Sequence, residues 1–160
     1  MELPKHEINM KSLLFAGLTF SFLYSLSLSA QEPLSWKTLA DVTFETAYDE
    51  ESGIEGLKAT FGEGPQAYAG KTVRIKGFII PGQITKGIYF LSPYPNYTCF
   101  FCGGAGPETV IELRTKPDRS GRKPHFAMDD ELTFQGILRL NPDDFRYTSY
   151  ILEEAEVTKD

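Results

Sequence analysis

The chain has 160 residues, with 16 basic and 22 acidic side chains, two histidines, two cysteines and a formal charge of −6 at pH 7. An acidic balance of this kind argues against nucleic-acid binding, because a phosphate backbone needs a basic face. It leaves cations and neutral protein surfaces as suitable partners.

Residues 12–30, SLLFAGLTFSFLYSLSLSA, follow Lys11 and carry no charge, with a Leu- and Phe-rich centre and small residues at the end. This is the pattern of a secretory signal peptide. A start at Met10 places Lys11 directly in the positive n-region. Cleavage after Ser29 or Ala30 is expected, although Leu28 is larger than the residue usual just before such a site. The alternative is a retained anchor, since the apolar stretch is near the minimum spanning length. No cysteine lies near the cleavage point to receive a lipid. The expectation is a periplasmic or secreted protein with no stable membrane insertion after cleavage, its single domain covering residues 31–160. Residues 1–30 hold two acidic and two basic side chains (Glu2, Glu7, Lys5, Lys11), so the charge of −6 survives their removal.

Ser35-Trp36-Lys37-Thr38-Leu39 reads as a short capped helical turn, and Val42-Thr43-Phe44-Glu45 as an extra strand. The polar, glycine-bearing stretch from Asp49 to Gly64 reads as a loop. From Gly70 onward the pattern alternates. Lys71–Gly77 places Val73, Ile75 and Gly77 on one face of a half-buried strand, which continues through Phe78-Ile79-Ile80 to a Pro81-Gly82 turn.

Further strands are predicted at Gly87–Leu91, Thr109–Leu113, Leu132–Leu140 and Tyr150–Val157. Gly77 and Gly136 sit in mid-strand, where glycine permits the sharp bend of a closed barrel. The predicted fold class is all-β, a small five-stranded OB-like barrel over about residues 70–158, preceded by the helical turn and extra strand.

Both cysteines lie in TCFFCGGAGPE, residues 98–108. Three chemistries suit Cys99-x-x-Cys102. A local disulfide fits an oxidising compartment, but it closes so short a loop that little unfolded-state entropy is removed. A thiol-redox couple needs its first cysteine at a helix N-terminus, and Gly103-Gly104-Ala105-Gly106-Pro107 cannot open one. A metal half-site explains the glycine-rich turn best: in a zinc knuckle backbone amides point at the thiolates and both sulfurs converge on one ion.

A closed zinc site needs four ligands. His125 is the one histidine left after signal cleavage, and Glu108, Asp129 or Asp130 is the candidate fourth ligand. His125 lies in the long loop before the fourth strand, so it reaches the cysteines only if that loop folds back. No Ser-His-Asp set, nucleophile elbow or phosphate-binding glycine loop is present, so the residues point to binding rather than catalysis.

Several of these residues form a pattern: Trp36 and Leu39, Gly70-Lys71-x-Val73-x-Ile75-x-Gly77-Phe78-x-Ile80-Pro81, Phe90-Leu91, Cys99-Phe100-Phe101-Cys102-Gly103, Gly106-Pro107-Glu108, and Gly136-x-Leu138-x-Leu140-Asn141. It resembles a bacterial family of small exported proteins known only as a domain of unknown function. The resemblance covers Trp36 to Val157, and its specific part is CFFCG…GPE. It implies a periplasmic or secreted OB-like domain, in some members associated with zinc-regulated or transport-related genes. A metal-transport or envelope protein is then the expected partner. Cys99 and Cys102 match the motif, no catalytic residue carries over, and the Lys/Arg-rich stretch Lys116–Lys123 departs from the pattern.

Overall fold

The computed structural model describes residues 32–50, 53–83, 86 and 88–158. The expected signal peptide therefore lies outside the described residues. Among the described residues no helix is long and apolar enough to cross a membrane.

The elements in chain order are β1 (Glu32–Pro33), α1 (Trp36–Leu39), β2 (Val42–Asp49), β3 (Ile54–Phe61), α2 (Glu63–Gln66), β4 (Thr72–Pro81), β5 (Ile88–Ser92), three single 3₁₀ turns (Asn96–Thr98, Phe100–Cys102 and Pro107–Thr109), β6 (Ile111–Thr115), β7 (Glu131–Leu140) and β8 (Tyr150–Val157).

Strand β4 serves two neighbours. Its residues Thr72–Phe78 pair antiparallel with Ile137–Glu131 of β7, and Phe78–Pro81 pair antiparallel with Ser92–Tyr89 of β5. The sheet continues β5–β6–β8–β7, and the β7–β4 pairing closes it. Four of the five barrel contacts are antiparallel, while β6 and β8 run parallel. Five strands closed in this order form the OB-like barrel expected from the alternation.

The two mid-strand glycines sit where the barrel turns. A Cβ on Gly77 would lie 2.6 Å from the carbonyl oxygen of Ser92, and one on Gly136 would lie 2.6 Å from that of Glu153. The β7–β8 register shifts between Gln135 and Ile137, so Gly136 sits at a bulge. Bulges of this kind bend a strand and raise its twist. The inward faces of the strands supply the core: Val73, Ile75, Tyr89, Leu113, Phe134, Leu138 and Leu152 are all buried in one cluster.

The N-terminal elements act as a lid on one side of the barrel. Ser35 caps α1 through Thr38 N, as the sequence predicts, and the Trp36 indole donates to Lys76 O at 2.7 Å. The extra strand is longer than predicted, running to Asp49.

The loop predicted for Asp49–Gly64 is a correction, since Ile54–Phe61 pairs with all of β2 as a hairpin. Burial along β3 follows no clean two-residue alternation, so the periodic signal of a strand is missing. Tertiary contact supplies what the pattern lacks. Ala59 N donates to Pro142 O at 2.7 Å, and Gly56 lies directly beneath the Phe145 ring. A two-stranded hairpin is marginal on its own, and here it is docked on the β7–β8 connection.

Candidate functional site

The cysteine turn leaves the end of β5 at Ser92 and returns to β6 at Ile111. Pro95 precedes the first 3₁₀ turn, Cys99 caps the second, and Gly103 follows in the left-handed region at φ 76°. Gly103 thus occupies a conformation that other residues adopt at a cost. Gly104 is pressed against the Thr98 backbone, where a Cβ would collide with the carbonyl oxygen. The double glycine folds the chain back under the two cysteines.

The phenylalanines between the cysteines anchor this turn. Phe101 packs on Phe90 of β5 with ring centroids 4.8 Å apart, and on Phe100 at 5.5 Å. Phe100 lines an apolar cleft of about 190 Å³ with Leu57, Pro107, Val110, Phe145 and Tyr147. Leu57 comes from the β3 hairpin and Phe145 from the β7–β8 connection. Neither was legible as part of the site.

Both thiols are free, Cys99 wholly buried and Cys102 exposed. One turn carries both residues, with Cys102 N donating to Cys99 O. Desolvation, the charge on Cys99 and a hydrogen bond with its thiol all push the Cys102 thiol above its ordinary range. An attacking thiol of a redox enzyme is shifted the other way, by a helix N-terminus or a neighbouring cation. Here Cys99 begins only a three-residue turn.

The amides of the turn are directed at carbonyls. Cys102 N and Gly104 N both donate to Cys99 O, at 3.1 and 3.2 Å, and Gly103 N donates to Phe100 O at 2.9 Å. The expected knuckle, with amides aimed at the thiolates, is replaced at these three positions by a carbonyl-bonded turn.

The other candidate ligands lie around the turn without joining it. The loop bearing His125 meets the cysteine segment at Asp129. Asn96 N, at the head of the cysteine segment, donates to Asp129 Oδ1 at 2.7 Å, while Asp129 N donates to Ile79 O at 2.9 Å. Asp129 therefore braces the segment through its carboxylate. Asp130 Oδ2 accepts from Ala127 N.

His125 is exposed. It stands between Pro124, whose carbonyl accepts from the Tyr89 hydroxyl at 3.2 Å, and Phe126, which packs edge-on against Tyr89 and Phe134. The Glu108 carboxylate folds over Gly106, and its charge reaches Tyr150 on the side of α1. Among the described residues no three His, Cys, Asp or Glu side chains converge as a metal-binding group. Of the six candidates, the fold sets Cys99 and Cys102 on one turn.

Beside the turn, the outer face of β5 and β6 carries a second cleft of about 590 Å³, lined in part by Phe90, Glu112, Arg114 and Tyr147. Its centre is an ionic bridge. Arg114 contacts Glu112 at 3.0 Å and Glu153 at 2.8 Å, and its guanidinium lies 4.7 Å from the centre of the Tyr147 ring. Partial burial of Arg114 opposes its charge, and the two carboxylates outweigh it.

With this geometry in hand, comparison with known proteins yields a fold neighbour. No protein-family profile matches the chain, and no curated protein does. The chain is similar in structure to a DUF3299 family protein from Pseudomonas aeruginosa PAO1. The TM-score is 0.50 at 15% identity, over 82% of this chain and 98% of that one. At that identity the likeness is one of fold, and it agrees with the expectation of a barrel shared with a family of unknown function.

Proposed function

We propose that this chain is an exported bacterial binding protein whose Cys99-x-x-Cys102 turn holds a thiophilic metal ion, with zinc as the ion expected from the motif, and presents it to a metal-transport or envelope partner. The observation that carries the reading is the hydrogen bond from Cys102 N to Cys99 O at 3.1 Å, which sets both cysteines on one turn and leaves Cys102 open to solvent. Two cysteines on one turn need little rearrangement to share an ion. The phenylalanine anchors and the double glycine hold them there, as a preorganised site requires. Export is supported by the apolar segment of residues 12–30 and by the family resemblance carried by CFFCG…GPE.

A second reading rests on the aromatic side chains around the turn. Tyr97 is 76% exposed, Phe101 51% and Tyr94 46%. Exposed aromatics grouped in this way suit a protein-interaction surface, with the cysteine pair as its structural disulfide.

Native mass spectrometry of the protein recovered from the cell envelope separates the two. Retained metal that is lost on chelation and absent from Cys102→Ser supports the first reading. A metal-free chain two mass units below the reduced value supports the second and removes the first.

A further inference from the structure

We propose that the thiol pair is a complete two-coordinate site for a soft monovalent cation, copper(I), rather than one half of a tetrahedral zinc site. This rests on the metal-binding reading of Cys99 and Cys102 and replaces zinc, the ion the motif suggests, with one that two sulfurs satisfy.

The reason lies in what surrounds the two sulfurs. Zinc takes four ligands in a structural site, and the described residues bring no third His, Cys, Asp or Glu side chain to the pair. The Asp129 carboxylate already accepts from Asn96 N. Glu108 is turned toward Gly106. The amides that would stabilise a crowded thiolate cluster are bonded to Cys99 O and Phe100 O.

The side chains between the cysteines are aromatic, Phe100 packing on Phe101 and Phe101 on Phe90. Aromatic side chains offer no oxygen or nitrogen to a harder ion. Soft thiolates select copper(I), zinc and iron–sulfur clusters, and of these the closed-shell monovalent copper(I) ion is the one satisfied by two sulfurs in line. Cys102 provides the entry and the wholly buried Cys99 the anchoring ligand.

The step is an exchange without electron transfer. Copper enters as copper(I), two S–H bonds break, two Cu–S bonds form, and two protons leave to solvent. The site gains one positive charge and loses two protons, so it ends with a single negative charge.

The test is an anaerobic titration of the reduced full-length protein with copper(I) against a competing copper(I) chelator, run beside a zinc titration under the same conditions. The expected result is one copper(I) per chain, two protons released per copper, and an X-ray absorption spectrum with two sulfur neighbours. Cys102→Ser should weaken binding by more than the roughly 10–100-fold that loss of an outer-shell partner costs, with an unchanged circular dichroism spectrum. His125→Ala and Glu108→Gln should leave it unchanged.

Zinc binding equal to or tighter than copper(I), or a loss of copper(I) affinity in His125→Ala, overturns the two-coordinate site while leaving metal binding intact. Failure of both metals to bind the reduced protein overturns metal binding itself.

Discussion

The Tyr150 hydroxyl donates to the Leu39 carbonyl at 2.6 Å across 111 residues of sequence. Both side chains are fully buried, and this bond ties α1 to the last strand of the barrel. Burial pushes the Tyr150 phenol far above its ordinary range, with Asp41 and Glu108 adding to the effect, so the group stays protonated and donating throughout the working pH range. Tyr150→Phe keeps the ring and its packing on Phe61 but strands the Leu39 carbonyl. A buried acceptor left without a partner costs about 1–3 kcal/mol. Urea unfolding should therefore show a lower midpoint at unchanged slope, and an unshifted midpoint would mean that α1 is not fastened through this bond.

Gly136 sets the closure of the barrel. A Val side chain there would press on the Glu153 carbonyl and on the Leu152 side chain, 2.8 Å from the new Cβ. Overpacking of this kind costs about 1–3 kcal/mol. Arg139→Gln is the control: its bridge to Glu153 spans 3.3 Å between partly exposed side chains, and pairs open to solvent contribute about 0–1 kcal/mol. Thermal melts should separate the two variants clearly. Equal melting temperatures for Gly136→Val and the unaltered protein would show that the β7–β8 bulge tolerates a side chain.

The barrel was legible in the sequence because its strands alternate, and because Gly77 and Gly136 interrupt that alternation at the places where the sheet turns. The helical turn was legible from Ser35 and Trp36 for a similar reason, since a cap is a local signal. The β2–β3 hairpin was not legible. Its stability comes from Pro142 and Phe145, more than 80 residues away from its turn, and no window around Ile54–Phe61 contains that information. At the site, the proximity of Cys99 and Cys102 followed from spacing alone. The destinations of Asp129 and Glu108 did not, because both are fixed by loop backbone: Asn96 N takes the Asp129 carboxylate, and Gly106 leaves room for that of Glu108.

Export makes a separate prediction about the chain's first residue. If residues 1–30 are a signal peptide, N-terminal sequencing of the protein from its native compartment should begin near Ala30 or Gln31. The described elements lose nothing by this, since β1 begins at Glu32 and pairs with Val73 and Arg74 of β4. Recovery of an intact Met1 or Met10 terminus from a membrane fraction would instead identify the apolar segment as an anchor.

The unequal burial of the two cysteines predicts unequal reactivity. The thiolate is the nucleophile toward alkylating agents, and Cys99 is sealed while Cys102 faces solvent. Iodoacetamide should modify Cys102 first in the native reduced protein, and Cys99 only on unfolding. The Cys102 thiol is raised by desolvation, by the charge on Cys99 and by their mutual hydrogen bond, so its thiolate fraction at neutral pH is smaller than that of an ordinary cysteine. Its alkylation rate should accordingly climb at higher pH than the rate of a free cysteine measured alongside. Cys99→Ala removes two of the three causes and leaves desolvation, so the Cys102 profile should move back toward lower pH. Peptide mapping by mass spectrometry across a pH series reads both effects. Equal labelling of the two cysteines would show that Cys99 is not sealed, and a Cys102 profile unmoved by Cys99→Ala would show that the two thiols do not interact, which would remove the shared-ion geometry.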